Sequence, residues 1–178
     1  MVEMAKIYLA SDFSNQDYPK ILKALRDKQH EVFDFRRNDM ADKFGSDGGY
    51  NDPDWSKFKS PAKVRQFLTT DTKAHQCYQR DRRALEWADV VVGVYPSGIS
   101  CSLEVAWAAG CGKLAIIYLG DQSRGELMFN LASTIVTNIP ELLATLEKST
   151  PTRPNLRETW PPSAKVVQFP RNKKKQSA

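Results

Sequence analysis

Residues 88–113 read ADVVVGVYPSGISCSLEVAWAAGCGK and decide the fold class of this chain. The apolar, β-branched run Val90–Val94 is typical of a strand that is buried on both faces of a parallel sheet. A turn-forming segment follows over residues 96–100, and the small residues 102–109 predict a helix. Glu104 places a charged side chain in what is predicted to be the first turn of that apolar helix. Because ligands of open α/β sheets bind beyond the carboxyl ends of the strands, this carboxylate is a candidate for chemistry.

The rest of the sequence repeats this alternation of strand and helix. Residues 6–10, 18–28 and 31–35 predict a strand, a helix and a second strand, which implies a right-handed crossover and a parallel sheet. Further elements are predicted at residues 113–119 (strand), 127–132 (short helix), 134–136 (short strand) and 139–148 (helix). The expected fold is an α/β three-layer sandwich with a central parallel sheet of about five strands, flavodoxin-like or Rossmann-like.

One connection, residues 37–60, is long and rich in Gly, Asp and Asn, yet it contains Trp55 and Phe58. Connections of this length in a compact domain are usually functional or disordered, and the aromatic residues favour a lid or a site-flanking loop. A helix is predicted to follow, with Ser60 as its N-cap and Pro61 at its first position.

The composition is that of a soluble globular protein, with 41% hydrophobic and 26% charged residues among 178. We expect no membrane segment and no signal peptide, since no apolar run is long enough. The three cysteines have no paired spacing, which favours a cytoplasmic location. Much of the net charge of +5 lies at residues 171–175, in a tail predicted to be disordered. This placement argues against nucleic-acid binding.

Three further residues are candidates for a site or for ordinary structure. Glu104 is either a reactive anion stabilised by the helix N-terminus or an ordinary helix-terminal carboxylate. Asp81 is a second candidate, with a solvated charge in the run Arg80–Arg83 as the alternative. Tyr8 lies inside the first strand, where its hydroxyl needs a partner if the ring is buried.

No metal site and no cofactor is predicted. His30 and His75 have no metal-ligand spacing to the cysteines. A nucleophilic pair of Cys101 with His75 stays open, although a buried packing role is commoner for such a cysteine. The glycine-rich residues 110–113 precede a strand, so they are interpreted as a helix C-cap and not as a phosphate loop.

The chain resembles the nucleoside 2-deoxyribosyltransferase superfamily, which includes the deoxynucleoside 5′-monophosphate N-glycosidases. The resemblance covers most of residues 6–147 and depends on the order of several short motifs. These are KIYLAS at residues 6–11, the spacing from Asp81 to Asp89 before the valine run, SLEVAWAAGCGK at 102–113 and LMFNLASTIVTNIPELLATL at 127–146. It implies that residues 1–150 form the catalytic domain and that residues 151–178 are a Pro-rich extension ending in the basic tail.

The resemblance implies a role for each candidate residue. Glu104 corresponds to the nucleophile that attacks the sugar C1′ and forms a glycosyl-enzyme, and Asp81 to the carboxylate that holds the sugar hydroxyl. Tyr8 corresponds to a tyrosine beside the nucleophile. Asn130 corresponds to an asparagine lent by a neighbouring subunit, which implies a homodimer or a higher homo-oligomer. The implied partner is a small-molecule nucleoside or nucleotide, and the chemistry is that of retaining glycoside cleavage.

The residues around the predicted leaving base depart from the family pattern. The transferases carry an acidic residue six positions before the nucleophile, where this chain has Gly98. The monophosphate hydrolases place serine in this loop, and Ser97, Ser100 and Ser102 are available here to bind phosphate. Those hydrolases also carry an arginine in the first loop, where this chain has Ser11 and its neighbours. Two alternatives to nucleoside or nucleotide cleavage therefore stay open, an NAD glycohydrolase and a non-catalytic nucleotide-binding module.

Overall fold

The five strands form one parallel sheet in the computed structural model, which describes residues 4–37, 39–46 and 53–148. The strand order across the sheet is β2-β1-β3-β4-β5. The strands are β1 Lys6–Ala10, β2 Glu31–Asp34, β3 Val90–Val94, β4 Leu114–Tyr118 and β5 Thr134–Val136. Each strand lies within a residue or so of its predicted position, and the α/β prediction is confirmed.

The strand order places a topological switch point between β1 and β3. The chain leaves β1 towards β2 on one side, whereas β3 pairs with the other side of β1. In the register of that pair, Tyr8 lies opposite Val91 and Ala10 lies opposite Gly93. The segments that follow β1 and β3 therefore lead to opposite faces of the sheet. The region beyond the carboxyl ends of these two strands, called the crevice below, is where ligands of such sheets bind.

Helices cover both faces of the sheet. On one face α1 and α6 pack together, and on the other face α4 and α5 contact β1 and β3. The helices are α1 Tyr18–Asp27, α2 Ala41–Phe44, α3 Pro61–Thr70, α4 Thr72–Trp87, α5 Ile99–Gly110 and α6 Ile139–Lys148. The three-layer arrangement follows from strands that are apolar on both sides and must be covered on both.

The face covered by α1 and α6 is packed with large apolar side chains. Ile7, Leu9 and Ile116 of the sheet meet Ile21 and Leu25 of α1, and all of them are fully buried. Ile21 and Leu25 are four positions apart in α1, so they form one apolar stripe of that helix, and this stripe faces the sheet.

On the other face, the contact of α5 with the strands is formed by small residues, which allow a close approach of helix and strand. A Cβ at Gly93 of β3 would lie 2.6 Å from Cγ2 of Val105 and 3.2 Å from Sγ of Cys101. Ala108 of α5 and Ala115 of β4 are fully buried at the same contact. The position of α5, and of Glu104 on it, is therefore fixed by close packing.

The start of α5 differs from the prediction. The helix begins at Ile99, not at residue 102, because Gly98 has the extended backbone of an N-cap. No side chain caps the helix. Glu104 consequently lies in the second turn and not in the first, which lessens its interaction with the helix dipole, an effect confined to the first turn.

The long connection between β2 and α3 is partly helical. It contains α2 and a 3₁₀ turn at Trp55–Lys57, while residues 38 and 47–52 lie outside the described residues. The ring of Trp55 lies 5.5 Å from that of Phe58, and both rings contact Phe67 of α3. The predicted start of α3 is confirmed, since the side chain of Ser60 accepts a hydrogen bond from the backbone N–H of residue 63. The predicted role as a lid stays a prediction.

The predictions for the carboxyl-terminal part of the chain concern residues that follow α6. Residues 149–178 lie outside the described residues, and with them the predicted domain boundary at 150/151 and the basic tail. Over the ranges that are described, none of the helices combines the length and the apolar character needed to cross a lipid bilayer.

Candidate active site

A hydrogen bond joins two site candidates that are 96 positions apart in the sequence. The hydroxyl of Tyr8 in β1 donates to Oε1 of Glu104 in α5 at 2.8 Å. The ring of Tyr8 is 1% exposed and stacks on Phe33 of β2 at 5.3 Å, so its hydroxyl is held in place. Burial and the charges of Glu104 and Asp81 raise the pKa of Tyr8 well above its ordinary value, which keeps the phenol protonated as a donor.

Glu104 is a carboxylate with a perturbed affinity for protons. Burial raises its pKa to about 7, and the charge of Asp81 adds to the shift, whereas the hydrogen bond from Tyr8 opposes it. The group is therefore near its midpoint at neutral pH, half as anion and half as acid. Carboxyl groups poised in this way, partly buried in a cleft, are typical of active sites.

The second carboxylate, Asp81, lies on α4 and faces the same cluster. It is not a solvated surface charge, because its side chain is 25% exposed and forms an ion pair with Arg80, which is buried. Both Nε and Nη2 of Arg80 contact Oδ1 of Asp81, at 2.8 Å and 2.7 Å. The structure thus brings Tyr8, Asp81 and Glu104 together.

The serines of the predicted phosphate site lie in different environments, Ser97 in the β3–α5 loop and Ser100 and Ser102 in the first turns of α5. The hydroxyl of Ser102 lies 3.1 Å from that of Tyr95, whereas Ser100 and Gly98 are exposed. The hydroxyl of Ser97 is buried without a hydrogen bond of normal geometry. These residues border the crevice.

Two side chains clamp the loops at the switch point. Ser11 donates to the carbonyl of Val94 at 2.8 Å, so its hydroxyl is engaged by the backbone of β3. Asn15, which the sequence analysis did not single out, donates to the carbonyls of Val94 and Pro96 at 3.3 Å and 3.0 Å. Its Oδ1 accepts from the backbone N–H groups of Asp17 and Tyr18, which start α1. One buried amide thus ties the β1–α1 loop to the end of β3.

Asp12 is a carboxylate at the crevice that was also missed. Its Oδ2 lies 3.9 Å from the position that a Cβ on Gly98 would occupy. Hydrogen bonds from the hydroxyl and the backbone N–H of Ser14 lower the pKa of Asp12, so this group is an anion at neutral pH. Gly98, which the resemblance aligns with an acidic residue of the transferases, therefore faces a carboxylate from another loop. Only the proximity of two loops distant in sequence could have revealed it.

Asn130 lies on the protein surface, shortly before β5. It is exposed in the 3₁₀ turn Leu127–Leu131, where its side chain donates to the carbonyl of Leu127 at 2.9 Å. The neighbouring Phe129 packs on Tyr95 with ring centroids 4.6 Å apart, which places this turn beside the β3–α5 loop.

The open alternative of a Cys101–His75 pair is not supported by the geometry. Cys101 is buried, and burial raises the pKa of its thiol to about 12, so it is not a thiolate at neutral pH. His75 is exposed and lies beside Gln79. The interpretation of the glycines after α5 as a C-cap agrees with the structure, where Gly112 has a φ of 68°. Within the described ranges no cluster of three or more metal-ligating side chains occurs.

The fold at this site is shared with a known enzyme. A 2-deoxyribosyltransferase from Bacillus psychrosaccharolyticus superposes with a TM-score of 0.52 over 80% of this chain and 96% of its own, at 23% identity. The chain has the fold of that enzyme. A conserved protein from Enterococcus faecalis V583 superposes with a TM-score of 0.50, at 12% identity over 81% of this chain and 98% of its own. No family model matches the sequence, and no curated protein matches it either. At these identities the likeness establishes the fold alone.

Proposed function

We propose that this protein cleaves the N-glycosidic bond of a nucleoside or deoxynucleoside, or of its 5′-monophosphate, with Glu104 as nucleophile. The observation that carries the proposal is the hydrogen bond of 2.8 Å between Tyr8 and a half-buried Glu104, with the charge of Asp81 beside it. This cluster lies next to the crevice where the fold binds ligands, and a protein of the same fold is a 2-deoxyribosyltransferase.

The proposed reaction has two steps. The carboxylate of Glu104 attacks the sugar C1′, the bond from C1′ to the base nitrogen breaks, and the base leaves with that electron pair and takes up a proton. Water, or a second base, then attacks C1′ of the glycosyl-enzyme, loses a proton and restores the carboxylate. The sugar passes through oxocarbenium-like transition states, which a nearby anion stabilises.

Each partner of Glu104 has a distinct part. Tyr8 orients the attacking carboxylate through its hydroxyl and lowers the pKa of that carboxylate. Asp81 is proposed to accept a hydrogen bond from a sugar hydroxyl, because a carboxylate with a fixed orientation selects for that group. Poor solvation of Glu104 makes its anion the more reactive towards an electron-poor carbon.

The leaving base is proposed to contact Asp12. An ionised carboxylate accepts a hydrogen bond from an N–H or an amino group of a base, but it has no proton to give to the departing nitrogen. The lowered pKa of Asp12 thus supports recognition of the base and not its protonation. Ser97, Ser100 and Ser102 remain the proposed contacts of a 5′-phosphate, and Ser11 and Gly98 border the same crevice.

The test is to incubate the protein with a panel of nucleosides, their 5′-monophosphates and NAD, with and without a second base, and to separate the free base chromatographically. Glu104→Gln is expected to slow base release by about a thousandfold or more, as removal of a nucleophile does. Glu126→Gln, a change at an exposed carboxylate, is the matched control and should leave the rate unchanged. Base release by Glu104→Gln at the wild-type rate would refute the assignment.

A homo-oligomer is proposed on the basis of an exposed apolar surface. Ile99, Leu103 and Trp107 form one stripe along α5, and Leu103 is 66% exposed. Leu127 is 87% exposed in the turn that also carries Asn130, on the same side of the sheet. Apolar surface of this kind marks an interaction site, and a second copy seated there would bring Asn130 towards its partner's crevice.

Sedimentation of the purified protein tests that assembly. The wild type is expected to sediment as a dimer or a larger species, and Leu103→Glu should shift it to the monomer. Leu68→Glu introduces the same charge at an exposed leucine of α3 and should leave the assembly intact. A wild type that sediments as a monomer at all concentrations would contradict the proposal.

A further inference from the structure

Arg80 is a buried cation within the cluster just described. Its side chain is 3% exposed, and the interior position of a guanidinium requires partners because an isolated buried charge is costly. Two of its nitrogens converge on a single oxygen, Oδ1 of Asp81. A charge-assisted hydrogen bond from Nε and an ion-pair contact from Nη2 together restrain the position of this carboxylate and favour its charged form.

The surroundings of Arg80 connect it to the nucleophile. Its guanidinium lies 5.7 Å from the ring of Phe33, and that ring stacks on Tyr8, which donates to Glu104. On its own helix, Sγ of Cys77 lies 3.7 Å from Nη2 of Arg80 and 3.7 Å from Oδ2 of Asp81. Residues three and four positions apart share one face of a helix, so this turn of α4 presents thiol, guanidinium and carboxylate together.

We infer that Arg80 is a positioning residue, which holds Asp81 ionised and oriented so that this carboxylate can bind the sugar while Glu104 attacks it. The inference rests on the proposed function of the same site. A neighbouring cation favours the charged form of a carboxylate, whereas the nearby anion Glu104 disfavours it. Arg80 therefore allows two carboxylates to share one half-buried site. Among the residues that the structure describes, Tyr8 and Cys77 are titratable groups that face them as well.

The kinetic test compares two substitutions of Arg80. Arg80→Met removes the charge and should lower kcat/KM for base release by about tenfold or more. Tenfold is the factor that corresponds to a change of one unit in the pKa of Asp81. The acidic limb of the pH–rate profile of Arg80→Met should also move to higher pH, because Asp81 then protonates more readily. Arg80→Lys keeps the charge but not the forked geometry, so it should restore the pH profile and part of the rate.

The same changes in a second background separate positioning from a merely structural role. In Asp81→Asn there is no carboxylate to hold, so Arg80→Met should lower kcat/KM far less than it does in the wild type. Thermal unfolding of every variant reports the folded fraction. An equal loss in both backgrounds, or an acidic limb that stays in place in Arg80→Met, would overturn the inference.

A readout without turnover keeps this inference distinct from the proposed function. The side-chain carboxyl carbon of Asp81 can be titrated by NMR in the wild type and in Arg80→Lys and Arg80→Met. The midpoint should rise in Arg80→Met and stay near the wild-type value in Arg80→Lys. Unchanged midpoints refute the role of Arg80 whether or not any base is released. Absence of base release from all substrates, with shifted midpoints, refutes only the proposed function.

Discussion

The two faces of the sheet are built from the same strands but with different residues. The face under α1 and α6 receives large aliphatic side chains such as Ile7, Leu9 and Leu25, which are fully buried. The face under α4 and α5 receives glycine and alanine together with Tyr8, Arg80 and the two carboxylates. Side-chain volume on the first face supplies stability, and small residues on the second face let a helix bring a carboxylate up to the sheet.

The largest effect is expected from a cavity on the aliphatic face. Leu25→Ala should lower the free energy of unfolding by about 2–5 kcal/mol, as buried leucine truncations do. Base release per folded molecule should stay unchanged, because Leu25 lies across the sheet from Glu104. Urea unfolding followed by circular dichroism gives the stability. The matched control, Leu68→Ala at a helical leucine that is 55% exposed, should cost less than about 1 kcal/mol.

A methyl group on the other face should affect both stability and activity. Gly93→Ala places a Cβ 2.6 Å from Cγ2 of Val105 and 3.2 Å from Sγ of Cys101, so these side chains must move and we expect α5 to shift with them, at a cost of about 1–3 kcal/mol. The shift changes the distance from Tyr8 to Glu104 and should lower kcat as well. Gly110→Ala, at the end of the same helix with open space around it, is the control for both measurements. Loss of stability with full activity would show that the position of α5 is not critical.

The raised pKa of Glu104 predicts a stability difference that depends on pH. Its folded pKa of about 7 lies above the ordinary value of 4.5, so ionisation destabilises the folded state as pH rises through this range. At pH 8 the free energy of unfolding of Glu104→Gln should therefore exceed that of the wild type by about 1 kcal/mol or more. Thermal unfolding should accordingly show a higher midpoint temperature for the variant. The two proteins should be equally stable below pH 4.5, and a difference of the same size at both pH values would contradict the assignment.

The smallest change is Tyr8→Phe. Its hydrogen bond lowers the pKa of Glu104, so its removal should raise that pKa above about 7 and move the acidic limb of base release to higher pH. Stability should change by only about 1 kcal/mol, the net value of one hydrogen bond. A pH–rate profile measures the shift. Tyr118→Phe changes a tyrosine on the aliphatic face and should leave the profile in place.

Much of the architecture was predictable because the hydrophobic pattern of each short segment specifies its secondary structure. The valines of β3 and the helical spacing of α1 specify a strand and a helix without reference to distant residues. The start of α5 was not predictable in this way, because Ile99, Ser100 and Cys101 have no strong helical preference and Gly98 ends the turn by its backbone alone.

The site was predictable only in part. A resemblance to a family brought Tyr8, Asp81 and Glu104 together before the structure did. Asp12 beside Gly98 and the double contact of Arg80 to Asp81 depend on the approach of loops and on side-chain geometry. In the run Arg80–Arg83, nothing in the sequence distinguishes the buried guanidinium from its exposed neighbours at 82 and 83.

The buried amide of Asn15 has a consequence for the thermodynamics of ligand binding. Because it joins the β1–α1 loop to the carbonyls of Val94 and Pro96, this rim of the crevice is already ordered before a ligand arrives. A ligand that contacts this rim loses little free energy to immobilising the loops, so its binding should show a small conformational entropy term. Discrimination between ligands at this rim then depends on the fixed shape and charge of the crevice and not on a rearrangement of the chain.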